Sequence, residues 1–103
     1  MIVSPKRKSR QEILEKFRAQ VVDGVPIIGG GAGIGLSAKC EVLGGIDLII
    51  TYNSGRFRMG GRPSISGLLP FASANDMVKE LAAQVMPVAG DTPVLAGVFA
   101  QDN

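Results

Sequence analysis

The stretch IDLIITYNSGRFRMGGR (residues 46–62) decides the fold class. Its first six residues are nearly all apolar, which is typical of a strand covered on both faces of a parallel sheet. The apolar run ends abruptly, and three arginines and three glycines follow within residues 52–62. Ligands bind at the carboxyl ends of parallel strands, because the loops there project into one shared crevice. The stretch therefore predicts a buried strand that leads into a polar, ligand-binding loop.

Strand and helix patterns alternate on both sides of this stretch. The capping box SRQE at 9–12 marks the first helix, and the pair GG at 44–45 stands where a helix is expected to end. One helix followed by βαβαβ predicts an α/β fold with a parallel sheet and right-handed crossovers. Residues 52–72 are left as a long loop, in which LLPF at 68–71 is expected to pack back onto the body. The predicted elements are helices at 10–20 and 34–43, a helix from Ser73 or Asn75 to Pro87, and buried strands at 25–28, 46–51 and 93–99.

Composition limits the chemistry that this chain can perform. The 103 residues correspond to one small domain, with no histidine and one cysteine, Cys40. The sequence therefore offers no internal disulfide, no Cys/His zinc cluster and no imidazole base. No apolar signal core lies in the first 25 residues, and no run approaches the ~20 apolar residues of a membrane span. We expect a cytoplasmic protein without membrane contact, in which Cys40 belongs to the core.

Basic residues are concentrated at the start of the chain. Residues 1–20 hold six basic and two acidic side chains, and residues 1–9 are predicted to form a basic leader before a domain at 10–103. Such a leader is more often a solvated arm than a nucleic-acid contact. No aromatic residues interleave with its basic residues, as they do in proteins that bind single strands. Nucleic-acid binding stays the weaker alternative, and high salt should abolish it.

The glycine run GGGAGIG (residues 29–35) lacks the spacing of a dinucleotide-binding loop. The G-x-G-x-x-G pattern fails from every starting glycine, and no G-K-[ST] ending is present. We therefore expect no cofactor bound by this chain. The run is interpreted as a close-packed turn between strand and helix, with the alternative that its backbone N–H groups contact an anion. Ser37 and Lys39 are expected on the surface of the following helix.

Arginines at the end of the second strand are the strongest functional signal. The planar guanidinium of Arg56 or Arg58 offers a fork of donors that matches carboxylate or phosphate. Long loops in compact domains are usually functional or disordered, although exposed arginines also serve solubility and salt bridges. Asp102 follows the third strand and is predicted to face the same crevice. The predicted ligand-binding residues are Asn53, Ser54, Gly55, Arg56, Arg58 and Asp102.

Five segments of the chain form a specific combination: GGGAGIGLSAK (29–39), GGIDL (44–48), YNSGRFRMGG (52–61), GLLPFA (67–72) and PVLAG (93–97). Together they resemble the phosphoenolpyruvate hydrolase-like TIM-barrel family, which is also similar to the C-terminal part of plant tobamovirus-resistance proteins. The resemblance covers about residues 11–102. It implies a (β/α)₈ barrel related to the phosphoenolpyruvate/pyruvate enzymes, of which this chain would hold the first three strands, since a whole barrel needs ~250 residues.

The resemblance also implies a function at the carboxyl ends of the strands. Enzymes of the superfamily bind a small oxo-acid or phosphonate there together with a divalent metal such as Mg²⁺. Asn53, Ser54 and Arg56 would stand on the rim, whereas the metal ligands and catalytic residues have no counterpart that can be assigned in this chain. We expect a hydrolase-like fragment that is inactive alone, and that associates with the remainder of the barrel or with a second copy as a homo-oligomer. The alternative is a non-catalytic domain for regulation, signal transduction or protein interaction.

Overall fold

A computed structural model describes residues 7–100 as an α/β unit, which confirms the predicted fold class of a partial TIM barrel. No helix within that range is long and apolar enough to cross a membrane. A short 3-10 helix interrupts the connection between α3 and α4. The elements are α1 Arg10–Val22, β1 Gly29–Gly31, α2 Gly35–Leu43, β2 Leu48–Thr51, α3 Asn53–Met59, the 3-10 helix Ser64–Leu68, α4 Ala74–Ala89 and β3 Val94–Ala96.

The three strands form one parallel sheet in the order β1-β2-β3. Gly30 pairs with Ile49, which in turn pairs with Val94. Each step from one strand to the next passes through at least one helix, as parallel pairing requires. This arrangement matches the first three strands of a barrel and brings the carboxyl ends of all three to one edge.

One face of the sheet is covered, and the other is open. Ile49 is fully buried under α2 and α4, where Leu81 and Val85 of α4 complete the core. On the opposite face Ile50 is only half-buried, and Leu95 is 56% exposed. The expectation of a strand covered on both faces therefore holds for one face in the described structure.

The first strand begins four residues later than predicted. Residues 25–28 are exposed and form no strand, whereas the glycines Gly29–Gly31 pair with β2. Glycine is a poor strand former, but a Cβ at Gly29 would stand 3.0 Å from Leu48 Cδ2. The close pairing with an apolar neighbour thus overrides local propensity. Ile28 instead donates its backbone N–H to the Asp47 carboxylate at 2.8 Å.

The predicted long loop contains two helical segments, α3 and the 3-10 helix. The ring of Phe57 on α3 packs against Phe71, with centroids 6.1 Å apart, and the Arg62 guanidinium lies 4.7 Å from the Phe71 centroid. The segment LLPF at 68–71 was expected to pack back onto the body, and Phe71 does so, although Leu68 remains 72% exposed. The polar composition of residues 52–62 concealed a helix that starts directly at the end of β2.

Two further expectations about helices are wrong. Pro87 does not stop α4, which continues to Ala89 and ends at Gly90 with φ of 61°. A proline two residues before a helix end removes one backbone hydrogen bond and bends the helix locally. Only two residues follow it here, so the helix can continue to its end. Cys40 is exposed rather than part of the core, and the fully buried position on α2 belongs to Ala38.

Polar contacts attach α1 to the amino end of the sheet. Its predicted cap is confirmed, because Ser9 Oγ accepts from the Glu12 backbone N–H at 3.2 Å. No residue of α1 is buried. Arg7, just before the helix, donates to the Gly90 carbonyl at 2.8 Å, and Gln20 Nε2 donates to Asp47 at 3.3 Å. The helix is thus positioned by hydrogen bonds more than by packing.

Candidate functional site

A small pocket lies where the carboxyl ends of β1 and β2 meet. Its volume is about 140 Å³. The lining comes from the loop after β1, the first turn of α2, and α3 with the residue before it. We call it the glycine–arginine pocket; its lining residues are Gly31, Ala32, Gly33, Ser37, Tyr52, Gly55, Arg58 and Met59.

Backbone contact between two glycines closes the base of this pocket. A Cβ at Gly33 would stand 2.3 Å from the Gly55 carbonyl oxygen and 2.5 Å from Met59 Cγ. No side chain fits at that separation, so position 33 has to be glycine for α3 to approach the loop. The reverse does not hold, because the atom nearest to a Cβ at Gly55 would be 3.6 Å away. This contact sets the position of α3 and therefore of Arg58, which belongs to its last turn.

Arg58 is held in place by an aromatic ring and two hydroxyl groups. Its Nη1 donates to Ser64 Oγ at 3.0 Å, and its Nη2 donates to the Tyr52 hydroxyl. The guanidinium carbon also lies 5.1 Å from the Tyr52 ring centroid, a cation–π geometry. A guanidinium carries five N–H donors, so three remain for a ligand.

The first turn of α2 lines the same pocket as Arg58. The N-cap residue of α2 is Ile34, whose side chain makes no capping hydrogen bond to the helix. The Gly35 N–H donates across the domain to Gln84 Oε1 at 3.2 Å, and Ser37 in the first turn lines the pocket. A helix N-terminus carries partial positive charge that favours anions. Together with Arg58 it gives the pocket a positive character.

The predicted residues Asn53 and Ser54 support the site from behind. Asn53 is buried, and its Nδ2 donates to the Gly67 carbonyl at 2.8 Å. Ser54 packs so closely on the same residue that a Cβ at Gly67 would stand 2.9 Å from Ser54 Cβ. Both residues join the start of α3 to the 3-10 helix. Of the predicted set, Gly55 and Arg58 line the pocket itself.

Arg56 points to a different part of the molecule. Its Nη1 lies 3.2 Å from Glu80 Oε2 on α4, and the two side chains are 40% and 63% exposed. Asp102 lies outside the described residues. Phe99, three residues earlier in the chain, is bound through its backbone to the Asn75 side chain. The Phe99 N–H donates to Asn75 Oδ1 at 2.9 Å, and Asn75 Nδ2 donates to the Phe99 carbonyl at 3.2 Å.

Six pocket residues were missing from the predicted set, and Ser37 and Tyr52 are the two of them with polar side chains. Tyr52 directly follows β2 and is the chain's only tyrosine, so strand-end position was the signal that could have found it. Ser37 was assigned to the helix surface, and only the contact between α3 and the glycine loop reveals its role. Within residues 7–100, no group of three or more His, Cys, Asp or Glu side chains could hold a metal ion.

Sequence comparison places this fold and this pocket in a known family. The sequence model of the family described as phosphoenolpyruvate hydrolase-like matches residues 12–103. The chain belongs to this family. The matched range includes all three strands and every residue that lines the glycine–arginine pocket.

The relatives of this family member come from a plant and a bacterium. Two tomato (Solanum lycopersicum) proteins, the ToMV resistance protein Tm-1(GCR237) and the ToMV susceptible protein tm-1(GCR26), are each 58% identical to it over 95 residues, 92% of this chain. The y4pA protein of Sinorhizobium fredii (strain NBRC 101917 / NGR234), provisionally named a transcriptional regulatory protein, is 36% identical over 98 residues, 91% of the chain. The chain spans 13% of each tomato protein and 16% of the bacterial one.

Proposed function

We propose that the glycine–arginine pocket binds a small anion, an oxo-acid or a phospho-compound. The observation that carries this proposal is that Arg58 and the first turn of α2 line the same pocket. Arg58 is the only charged side chain among the pocket-lining residues. Its contacts to Tyr52 and Ser64 fix the guanidinium, so less side-chain entropy is lost when an anion binds.

The dimensions and chemistry of the pocket support a compact ligand. A volume of about 140 Å³ suits a molecule of a few carbon atoms. Ser37 supplies a hydroxyl group, and Ala32 and Met59 supply apolar contact. Membership of a phosphoenolpyruvate hydrolase-like family adds support for the oxo-acid and phospho-compound classes.

The other predicted residues take supporting roles in this proposal. Gly55 forms the floor of the pocket, and Asn53 and Ser54 hold α3 against the 3-10 helix. Arg56 forms a solvent-accessible ion pair with Glu80, which contributes little to the position of α3, and Asp102 would add a carboxylate from beyond β3. The divalent metal expected for a whole barrel would need ligands from outside residues 7–100, because no carboxylate lines the pocket.

The open face of the sheet supports a larger functional unit. Ile50 is half-buried and Leu95 is 56% exposed there, although in a closed barrel such side chains fill the interior. We therefore propose that the remainder of a barrel, or a second copy, covers this face. In that case this chain alone binds the anion without converting it to a product. We propose that the whole protein is cytoplasmic.

A non-catalytic role in regulation, signal transduction or protein interaction is the second candidate. The exposed apolar side chains of Leu68 and Phe71, at 72% and 56%, favour it, because exposed apolar patches often mark protein contacts. The two candidates differ in one measurement: a longer family member should turn over an oxo-acid or phospho-compound under the first and none under the second.

Calorimetric titration of the 103-residue chain with phosphoenolpyruvate and with pyruvate tests the anion site. Arg58→Met should weaken binding about 10-fold or more, since hydrogen bonds to charged groups contribute about 1.5–3 kcal/mol. Arg56→Met is the matched control, because it removes the same charge two residues away and should change affinity less than about 2-fold. Circular dichroism should show both variants folded. Equal affinities for the wild type and Arg58→Met, or absence of binding to either probe, would refute the proposal.

A further inference from the structure

A serine outside the pocket contacts the residue that carries the proposed function. Ser64 is exposed and is the first residue of the 3-10 helix. Its Oγ accepts from Arg58 Nη1 at 3.0 Å, on the guanidinium group that also contacts Tyr52. Ser64 is not among the residues that line the pocket. Any effect of Ser64 on the ligand therefore has to act through Arg58.

We propose that Ser64 is a positioning residue that sets the orientation of the Arg58 guanidinium for anion binding. This inference rests on the proposed anion site. An exposed arginine side chain otherwise samples many rotamers, and the entropy that it loses when a ligand immobilises it lowers affinity. Tyr52 contacts the guanidinium through its ring and its hydroxyl group, and the Ser64 hydroxyl accepts from the other terminal nitrogen, so the two residues together define its orientation.

The anchoring of the 3-10 helix makes Ser64 a defined reference point. Asn53 Nδ2 binds the Gly67 carbonyl at 2.8 Å within buried surroundings. Gly67 also packs directly on Ser54, at a separation that leaves no space for a Cβ. Both contacts tie the 3-10 helix to the start of α3, so the distance from Ser64 to Arg58 is set at both ends. The segment between α3 and α4 thus takes part in the site without lining it.

Affinity for phosphoenolpyruvate, measured by calorimetry, tests the positioning role. Ser64→Ala should weaken binding about 3- to 10-fold, the range for one newly mobile side chain, and Ser64→Thr should restore it by retaining the hydroxyl. In an Arg58→Met background Ser64→Ala should have no further effect. Ser9→Ala is the matched control, because it removes the capping hydroxyl of α1, a helix that contributes no residue to the pocket; it should lower stability and leave affinity unchanged.

A second measurement needs no ligand and separates the two proposals. The NMR order parameter of the Arg58 Nε–H bond should fall in Ser64→Ala and stay unchanged in Ser9→Ala. If the wild type fails to bind phosphoenolpyruvate while this order parameter falls, the anion site is refuted and the positioning of Arg58 stands. An unchanged order parameter, unchanged affinity in Ser64→Ala, or an equal loss of affinity in the Arg58→Met background would overturn the role of Ser64.

Discussion

At the carboxyl end of the sheet, close backbone contact sets the approach of α3 to the glycine loop, whereas at the amino end side-chain hydrogen bonds join α1 and the residues after it to the sheet. At the carboxyl end Gly33 meets the Gly55 carbonyl with no space for a methyl group. At the amino end Asp47 accepts hydrogen bonds from Ile28 and Gln20. Steric contact fixes position independently of pH and salt, and polar contact does not. The proposed binding site lies at the end where this steric contact positions α3.

The largest expected effect comes from disrupting the backbone contact between Gly33 and Gly55. Gly33→Ala should lower the free energy of unfolding by about 3 kcal/mol, at the top of the range for overpacking, since its Cβ collides with backbone that has little freedom to move. Urea denaturation followed by circular dichroism measures it.

The facing glycine is the matched control for that variant. Gly55→Ala adds the same methyl group from the other side, where ordinary contact distances are available. It should raise stability by up to about 1 kcal/mol, because alanine is the better helix former within α3. Equal losses in the two variants would contradict the one-sided contact.

The next effect concerns the polar end. Asp47→Ala removes the acceptor for the Ile28 N–H and for Gln20, and should cost about 1–2 kcal/mol of unfolding free energy. Thermal melts at low and high salt measure it. Asp23→Ala, an exposed carboxylate at the end of α1, should stay within about 0.5 kcal/mol. If Asp47→Ala lost no more unfolding free energy than Asp23→Ala, packing rather than these hydrogen bonds would position α1.

The smallest effect sharpens the contrast in pH dependence. Burial raises the pKa of the Glu41 carboxyl beside β1, where a Cβ at Gly30 would stand 2.9 Å from Glu41 Oε1. The folded state therefore holds this proton more tightly than the unfolded state. Its contribution to stability is complete below the unfolded pKa, about 4.3, and is lost as pH rises through the higher folded value.

Glu41→Gln should remove that part of the pH dependence. At neutral pH it should stabilise the fold by about 0.5 kcal/mol, a modest amount because the carboxyl is partly solvated. Denaturation midpoints between pH 4 and 7 compare the variant with the wild type. A stability that rises between pH 4 and 7 in the wild type but not in Glu41→Gln would contradict the predicted sign.

Sequence patterns predicted the elements whose signals are local. The capping box gave the start of α1, and the alternation of strands and helices gave the parallel order. The strand at Gly29–Gly31 was missed because its cause is tertiary: pairing with β2 outweighs glycine's weak propensity.

The choice between Arg56 and Arg58 shows the same limit within the site. As loop residues, the two arginines were equivalent. Once residues 53–59 are known to be helical, a separation of two positions turns them about 200° apart, so one faces Glu80 and the other the pocket. Position along the chain predicted the neighbourhood of the site, and helical phase decided which residue belongs to it.

The cation–π contact at Arg58 gives the molecule a built-in optical probe. The chain has one tyrosine and no tryptophan, so its intrinsic fluorescence comes from Tyr52, whose ring faces the guanidinium and lines the pocket. Emission of the unlabelled protein therefore reports the surroundings of the site alone, with no background from other fluorophores.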